Sequence, residues 1–117
     1  MSPQVLLFAR DPTLARTRTE TLEASGYAVV AAMAMEDFLN HYFAGHFDLI
    51  LLCNSLRVEE RNLTISLVRR YGHAKPLLAI SGTPTEQISG ADMTVPGDAE
   101  SVLSAVCDAL SGTLALK

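Results

Sequence analysis

Two thiols, three imidazoles and a few polar residues at the ends of apolar runs are the groups in this sequence with chemistry to offer. Cys53 and Cys107 are far apart and form no Cys-x-x-Cys pair, so both are expected as reduced, partly buried thiols. His41, His46 and His73 show no metal-ligand spacing with one another or with the cysteines, and no zinc site is expected. Gly82-Thr83-Pro84-Thr85 reads as a turn, without the Lys-Ser/Thr that would follow in a phosphate-binding loop. No nucleophile–base pair and no paired carboxylates occur where apolar runs end, so neither catalysis nor a cofactor is expected. What remains is a set of residues closing successive apolar runs: Ala9, Arg10 and Asp11, then Cys53 and Asn54, then Ser81, then Val95.

The elements that must position these residues alternate between strand and helix. Val5–Ala9, Tyr27–Met33, Phe47–Cys53, Leu77–Ser81 and a weak Met93–Val95 are short apolar runs of the kind buried on both faces of a parallel sheet. Asp11 followed by Pro12 is a helix start, an acceptor at the cap and proline at the first helical position. That helix is expected to run to about Ser25 and to stop at Gly26. A second helix spans Met35–Ala44, with Phe38, Leu39, Tyr42 and Phe43 on one face, closed by Gly45. Asn54–Arg61 reads as a polar loop and Asn62–Tyr71 as a third helix, with Leu63, Ile65, Leu67 and Val68 apolar, closed by Gly72. From Gly82 to Ile88 a turn or at most a short helix is expected. Asp98 caps a last helix to about Leu110, whose inner face carries Val102, Leu103, Val106 and Leu110.

Five such units with short connections imply a doubly wound α/β fold, a flavodoxin-like parallel sheet of order 2-1-3-4-5 with helices on both faces. Ligands in such folds sit at the carboxyl ends of the strands, which is where the residues singled out above fall. The 117 residues suit a single domain with its core at about 5–110, and Ser111–Lys117 reads as a fraying end or the start of a linker. Hydrophobic residues make up 49% and charged residues 19%, a globular composition. The formal charge of −4 argues against a broad nucleic-acid footprint. No apolar run is long enough to span a bilayer, and the start lacks a signal-peptide pattern, so a cytoplasmic protein without membrane contact is expected.

From about Val5 to Leu110 the chain resembles the receiver domain of two-component response regulators. The resemblance rests on Val5-Leu6-Leu7-Phe8-Ala9-Arg10-Asp11-Pro12, Glu23-Ala24-Ser25-Gly26-Tyr27, Phe47-Asp48-Leu49-Ile50-Leu51-Leu52, Ala79-Ile80-Ser81-Gly82 and Gly90-Ala91-Asp92. It implies a phosphoryl acceptor aspartate after the third strand, an acidic pair for Mg²⁺ after the first, a hydroxyl after the fourth and a lysine before a proline after the fifth. The chemistry asks for those types, because Mg²⁺ takes hard oxygen ligands and the transferred group spreads negative charge that cations stabilise.

On that correspondence the acceptor position falls on Cys53, the acidic pair on Ala9 and Arg10, and the lysine on Val95. Only Ser81 keeps the expected type. Asp11 lies one residue beyond the pair, where it caps a helix. A thiolate is too soft to replace an aspartate in Mg²⁺-assisted phosphoryl acceptance. The pocket is therefore expected to be degenerate, and phosphorylation by the family's route is not expected. Cys53 reads as an apolar filler or as a redox-responsive thiol activated by a nearby Arg10. Arg10 reads as a solvated charge, a partner of Asp11 or Asp48, or a fixed cation filling the metal site.

The segment Ser81–Val95 is several residues shorter than in the family, so the fourth helix should be a stub. Its loss is expected to uncover part of the fifth strand and the flank of the fourth. Thr17, Arg18 and Thr21 read as a half-buried helix face or a contact with another chain, and Met33 and Met35 as gap fillers. Ala99, Ser101, Ser104, Ala105 and Ala109 give the last helix small residues that would permit a homodimer contact. Three functions compete: a pseudo-receiver that works through protein partners, a small-ligand or redox sensor using Arg10 and Cys53, and a working receiver with an unusual site built on Asp11 or Asp48.

Overall fold

The computed structural model describes residues 2–71, 75–83 and 86–111. Nine elements follow one another: β1 (Gln4–Phe8), α1 (Pro12–Ala24), β2 (Ala28–Ala32), α2 (Met35–Ala44), β3 (Leu49–Leu52), α3 (Val58–Arg70), β4 (Leu77–Ile80), β5 (Met93–Val95) and α4 (Ala99–Leu110). The strands form one parallel sheet in the order β2-β1-β3-β4-β5, the order expected from the sequence. Helices at the ends of short crossovers cover both faces, because each right-handed connection returns the chain to the sheet on the side set by the next strand's position.

The continuous apolar strands are explained by two cores. Val5, Leu7, Leu49, Leu51, Leu78 and Ile80 face α1 and α4, where Ala15, Leu22, Val102 and Val106 meet them. Leu6, Phe8, Ile50, Leu52, Leu77 and Ala79 face α2 and α3, where Phe38, Tyr42, Ile65 and Val68 meet them. Phe8 stacks on Phe38 at 4.9 Å, and Phe38 on Tyr42 at 5.9 Å, which ties α2 to the sheet. Each leucine sealed this way contributes roughly 1.5–3 kcal/mol of transfer free energy, so no residue of β3 or β4 can turn polar without a large loss.

One helix boundary and two helix faces need comment. α3 begins at Val58, not Asn62, which shortens the polar loop after β3. Its first turn overhangs solvent and carries Glu59 and Glu60, which suit the positive end of a helix dipole but send no apolar signal. Inward residues of α3 are Thr64, Ile65 and Val68, whereas Leu63 is 54% exposed. Thr64 is buried because its hydroxyl donates to the Glu60 carbonyl at 2.8 Å and needs no water. In α4 the inward positions are Val102, Ala105, Val106 and Ala109, with Leu103 and Leu110 at the rim. Ala105 and Ala109 therefore let α4 approach its own sheet, and the small residues of this helix do not form one outward stripe. Gly72 and the tail beyond Ser111 lie outside the described residues.

Between β4 and β5 no helix occurs among the described residues. The loop that replaces it is fastened to α3 by two arginines. Arg61 Nη1 meets Glu86 Oε2 at 2.9 Å; Arg69 Nη2 meets Asp92 Oδ1 at 3.1 Å, and its Nε donates to the Gly90 carbonyl at 2.8 Å. Ile88 then drops onto the sheet and is buried with the α3 core. As a result the flank of β4 is not uncovered: Leu77, Leu78, Ala79 and Ile80 are all sealed. Of these two strands β5 is the one partly open, at Met93 and Thr94. Gly90 makes the close packing possible. Its φ is +91°, and a Cβ there would sit 2.6 Å from Ile65 Cγ2.

Candidate functional site

The carboxyl ends of β1, β3, β4 and β5 bring Ala9, Cys53, Ser81 and Val95 to one edge of the sheet, all buried. Ala9 and Cys53 continue the ladder, Ala9 donating to the Ala32 carbonyl at 3.0 Å and Cys53 to the Phe8 carbonyl at 2.9 Å. Ser81 donates its amide to the Val95 carbonyl at 2.8 Å, and its hydroxyl reaches the same oxygen at 3.3 Å. An open hollow of about 380 Å³ lies above this edge, lined by Asn54, Ser81, Thr83, Pro96, Gly97 and Asp98 among others.

Arg10 and Asp11 do not line that hollow. Arg10 forms a two-point pair with Glu60 of α3, Nε to Oε1 at 2.8 Å and Nη2 to Oε2 at 2.9 Å. The hydrogen bond and the charge of Glu60 hold the Arg10 proton more tightly than usual. Its partner is thus neither Asp11 nor Asp48. Asp11 caps α1, its Oδ1 accepting from the Thr13 amide at 2.9 Å and the Leu14 amide at 3.4 Å. The Ser55 hydroxyl accepts the Arg10 amide at 2.9 Å and so ties the loop after β1 to the loop after β3. Asp48 lies at the opposite end of the strands, where it accepts the Gln4 amide at 2.8 Å.

The cation inside the site is Arg18, which the sequence reading had placed on a half-buried helix face. It is only 7% exposed. Its Nη2 donates to Asn54 Oδ1 at 3.3 Å and to the Gly97 carbonyl at 3.2 Å, joining the loops after β3 and β5 through α1. A periodic signal for this was present: Ala15, Arg18 and Leu22 recur at helical spacing and are the buried residues of α1. Glu60 and the Arg61–Glu86 pair were also missed, because their partners are 50 and 25 residues away.

Cys53 is 1% exposed, and burial pushes its thiol up to about 12; Arg18 opposes this only in part. The expected activation by Arg10 is therefore corrected twice: the neighbouring cation is Arg18, and the net effect is a protonated thiol. The carboxylate that lines the hollow, Asp98, is committed elsewhere. Asp98 caps α4 by accepting the Ser101 amide at 2.9 Å, which holds its carboxyl below the usual range. Among the described residues no group of three or more His, Cys, Asp or Glu side chains converges. His41 pairs with Asp37 on α2, Cys107 is exposed on α4, and His73 lies outside the described residues. No helix among the described residues is long and apolar enough to cross a membrane.

This architecture is that of the CheY-like receiver domains of response regulators. The chemotaxis protein CheY4 of Vibrio cholerae superposes with a TM-score of 0.79 at 20% identity, over 94% of this chain and 100% of that one. The response regulator TrrA of Thermotoga maritima, solved in complex with Mg²⁺–BeF, gives 0.82 at 18% identity over 92% and 99%. The receiver domain of the hybrid histidine kinase CckA gives 0.74 at 22% identity over 92% and 98%. No family model matches the chain, and no curated protein does.

Proposed function

We propose that the chain is an atypical receiver domain of a two-component signalling protein, one that is not phosphorylated by the usual route and works through protein partners. The observation that carries this is the pairing of a sealed, protonated Cys53 at the end of β3 with Arg18 filling the space beside it. A buried guanidinium at that edge disfavours a divalent cation there by simple repulsion. Arg18 also bridges the loops after β3 and β5, and Arg10–Glu60 with Ser55 bridges those after β1 and β3. Such loops have one fixed arrangement, so the signalling surface is set at folding and no reaction of the domain's own is needed. Along β5 and α4 lies an open hollow of about 300 Å³ lined in part by Met93, Thr94, Ser101 and Ser104. A partner, or a second copy of the chain, would meet it there.

Incubation with acetyl phosphate and Mg²⁺, followed by intact mass measurement, tests the reading. No acid-stable, base-labile phosphoryl increment is expected. A stoichiometric one would overturn it. The redox alternative is disfavoured by the high Cys53 pKa and by the commitment of Arg10 to Glu60.

A further inference from the structure

We infer that the cleft between α1 and α4 is a binding site for a small monocarboxylate with a short aliphatic tail. This goes beyond the interaction-module reading and does not depend on it. The cleft has a volume of about 120 Å³ and is lined by Leu14, Thr17, Thr21, Ala99 and Val102, with Arg18 at one wall. A space of that size suits a short-chain acid. The walls are apolar in effect, since the Thr17 hydroxyl donates to the Thr13 carbonyl at 3.0 Å and the Thr21 hydroxyl to the Thr17 carbonyl at 2.9 Å.

Arg18 supplies the reason for an anion. It is more than nine-tenths buried, and among the described residues no carboxylate lies within ion-pair distance of it. Its Nη2 donates to two neutral acceptors, Asn54 and Gly97, and the guanidinium also neighbours the Cys53 thiol. Its Nε is buried without a partner among the described residues. Buried charge is costly unless compensated, and a carboxylate in this cleft would compensate it while its alkyl tail covers Leu14 and Val102. The cleft lies between two helices and adjoins the hollow at the strand ends at Gly97.

The test is a titration of the ¹⁵N-labelled chain with butyrate, butanol and butylammonium, followed by NMR. Butyrate should move the Leu14, Arg18, Ala99 and Val102 amides saturably, and the other two should not. Arg18→Met should weaken butyrate at least about tenfold. Ala99→Leu, at an exposed position on the cleft's mouth, should block it without touching the core. Absence of saturable shifts, equal shifts with butanol, shifts centred on Asn54, Ser81 and Thr83, or undiminished binding in either variant would each overturn the assignment.

Discussion

A cysteine and an arginine decide what this strand-end site can do. Cys53 is sealed among apolar neighbours, and its thiol is pushed up to about 12. A thiol reagent at pH 8.5 is therefore expected to label Cys53 much more slowly in the folded chain than after denaturation, while exposed Cys107 reacts freely. The linked stability has a definite sign. The unfolded thiol ionises near 8.5, before the folded one, so stability falls as pH rises through that value. Cys53→Ala should remove this alkaline loss, measured as melting temperature against pH. Arg18→Met is expected to leave the melting temperature unchanged or higher, because a buried unpaired charge is replaced by an apolar stem and the exposed Asn54 and Gly97 acceptors can take water. A large fall would show that the guanidinium bridge is a main support of the loops. The sequence made Cys53 legible, since it ends an unbroken apolar run. Arg18 was obscured by its threonine neighbours, although its spacing from Ala15 and Leu22 marks the inner face.

Among the described residues, β4 and β5 are joined by a loop without a helix. Its hold on α3 depends on Arg61–Glu86, Arg69–Asp92 and the fit of Gly90 over Ile65. Gly90→Ala is expected to cost at least about 2 kcal/mol in chemical denaturation, since it adds both a left-handed backbone penalty and a clash. A change below half of that would mean the loop shifts freely and is not clamped. Glu86 has its carboxyl held below the usual range by the Gly82 amide and then by Arg61. Its contribution is present above the ordinary glutamate value of about 4.3 and is lost as pH falls through the lower folded value. Glu86→Gln should flatten the acid limb of the stability curve. The shortness of this segment was readable from the sequence, but its clamp was not, because ion pairs between distant residues leave no local pattern. The start of α3 was hidden for a related reason: a first turn bearing Glu59 and Glu60 over solvent looks like a loop.

At the scale of the whole molecule, the topology was legible because each strand is a short apolar run and each connection is short. Pro12 after Asp11 and the positive-φ glycines Gly26 and Gly45 fixed the limits of α1 and α2 closely. Local periodicity left unread which side chains meet over the strand ends. On the proposed function, these meetings leave a receiver-shaped scaffold with a fixed surface and no place for a divalent ion beside Cys53. An NMR titration with Mg²⁺ and then beryllofluoride, followed at the amides of Arg10, Cys53, Asn54 and Ser81, addresses that claim most directly. The expected result is a spectrum that does not change beyond weak, unsaturable drift at both steps. Saturable one-to-one shifts at those four amides, spreading to β5 and α4 when beryllofluoride is added, would contradict it.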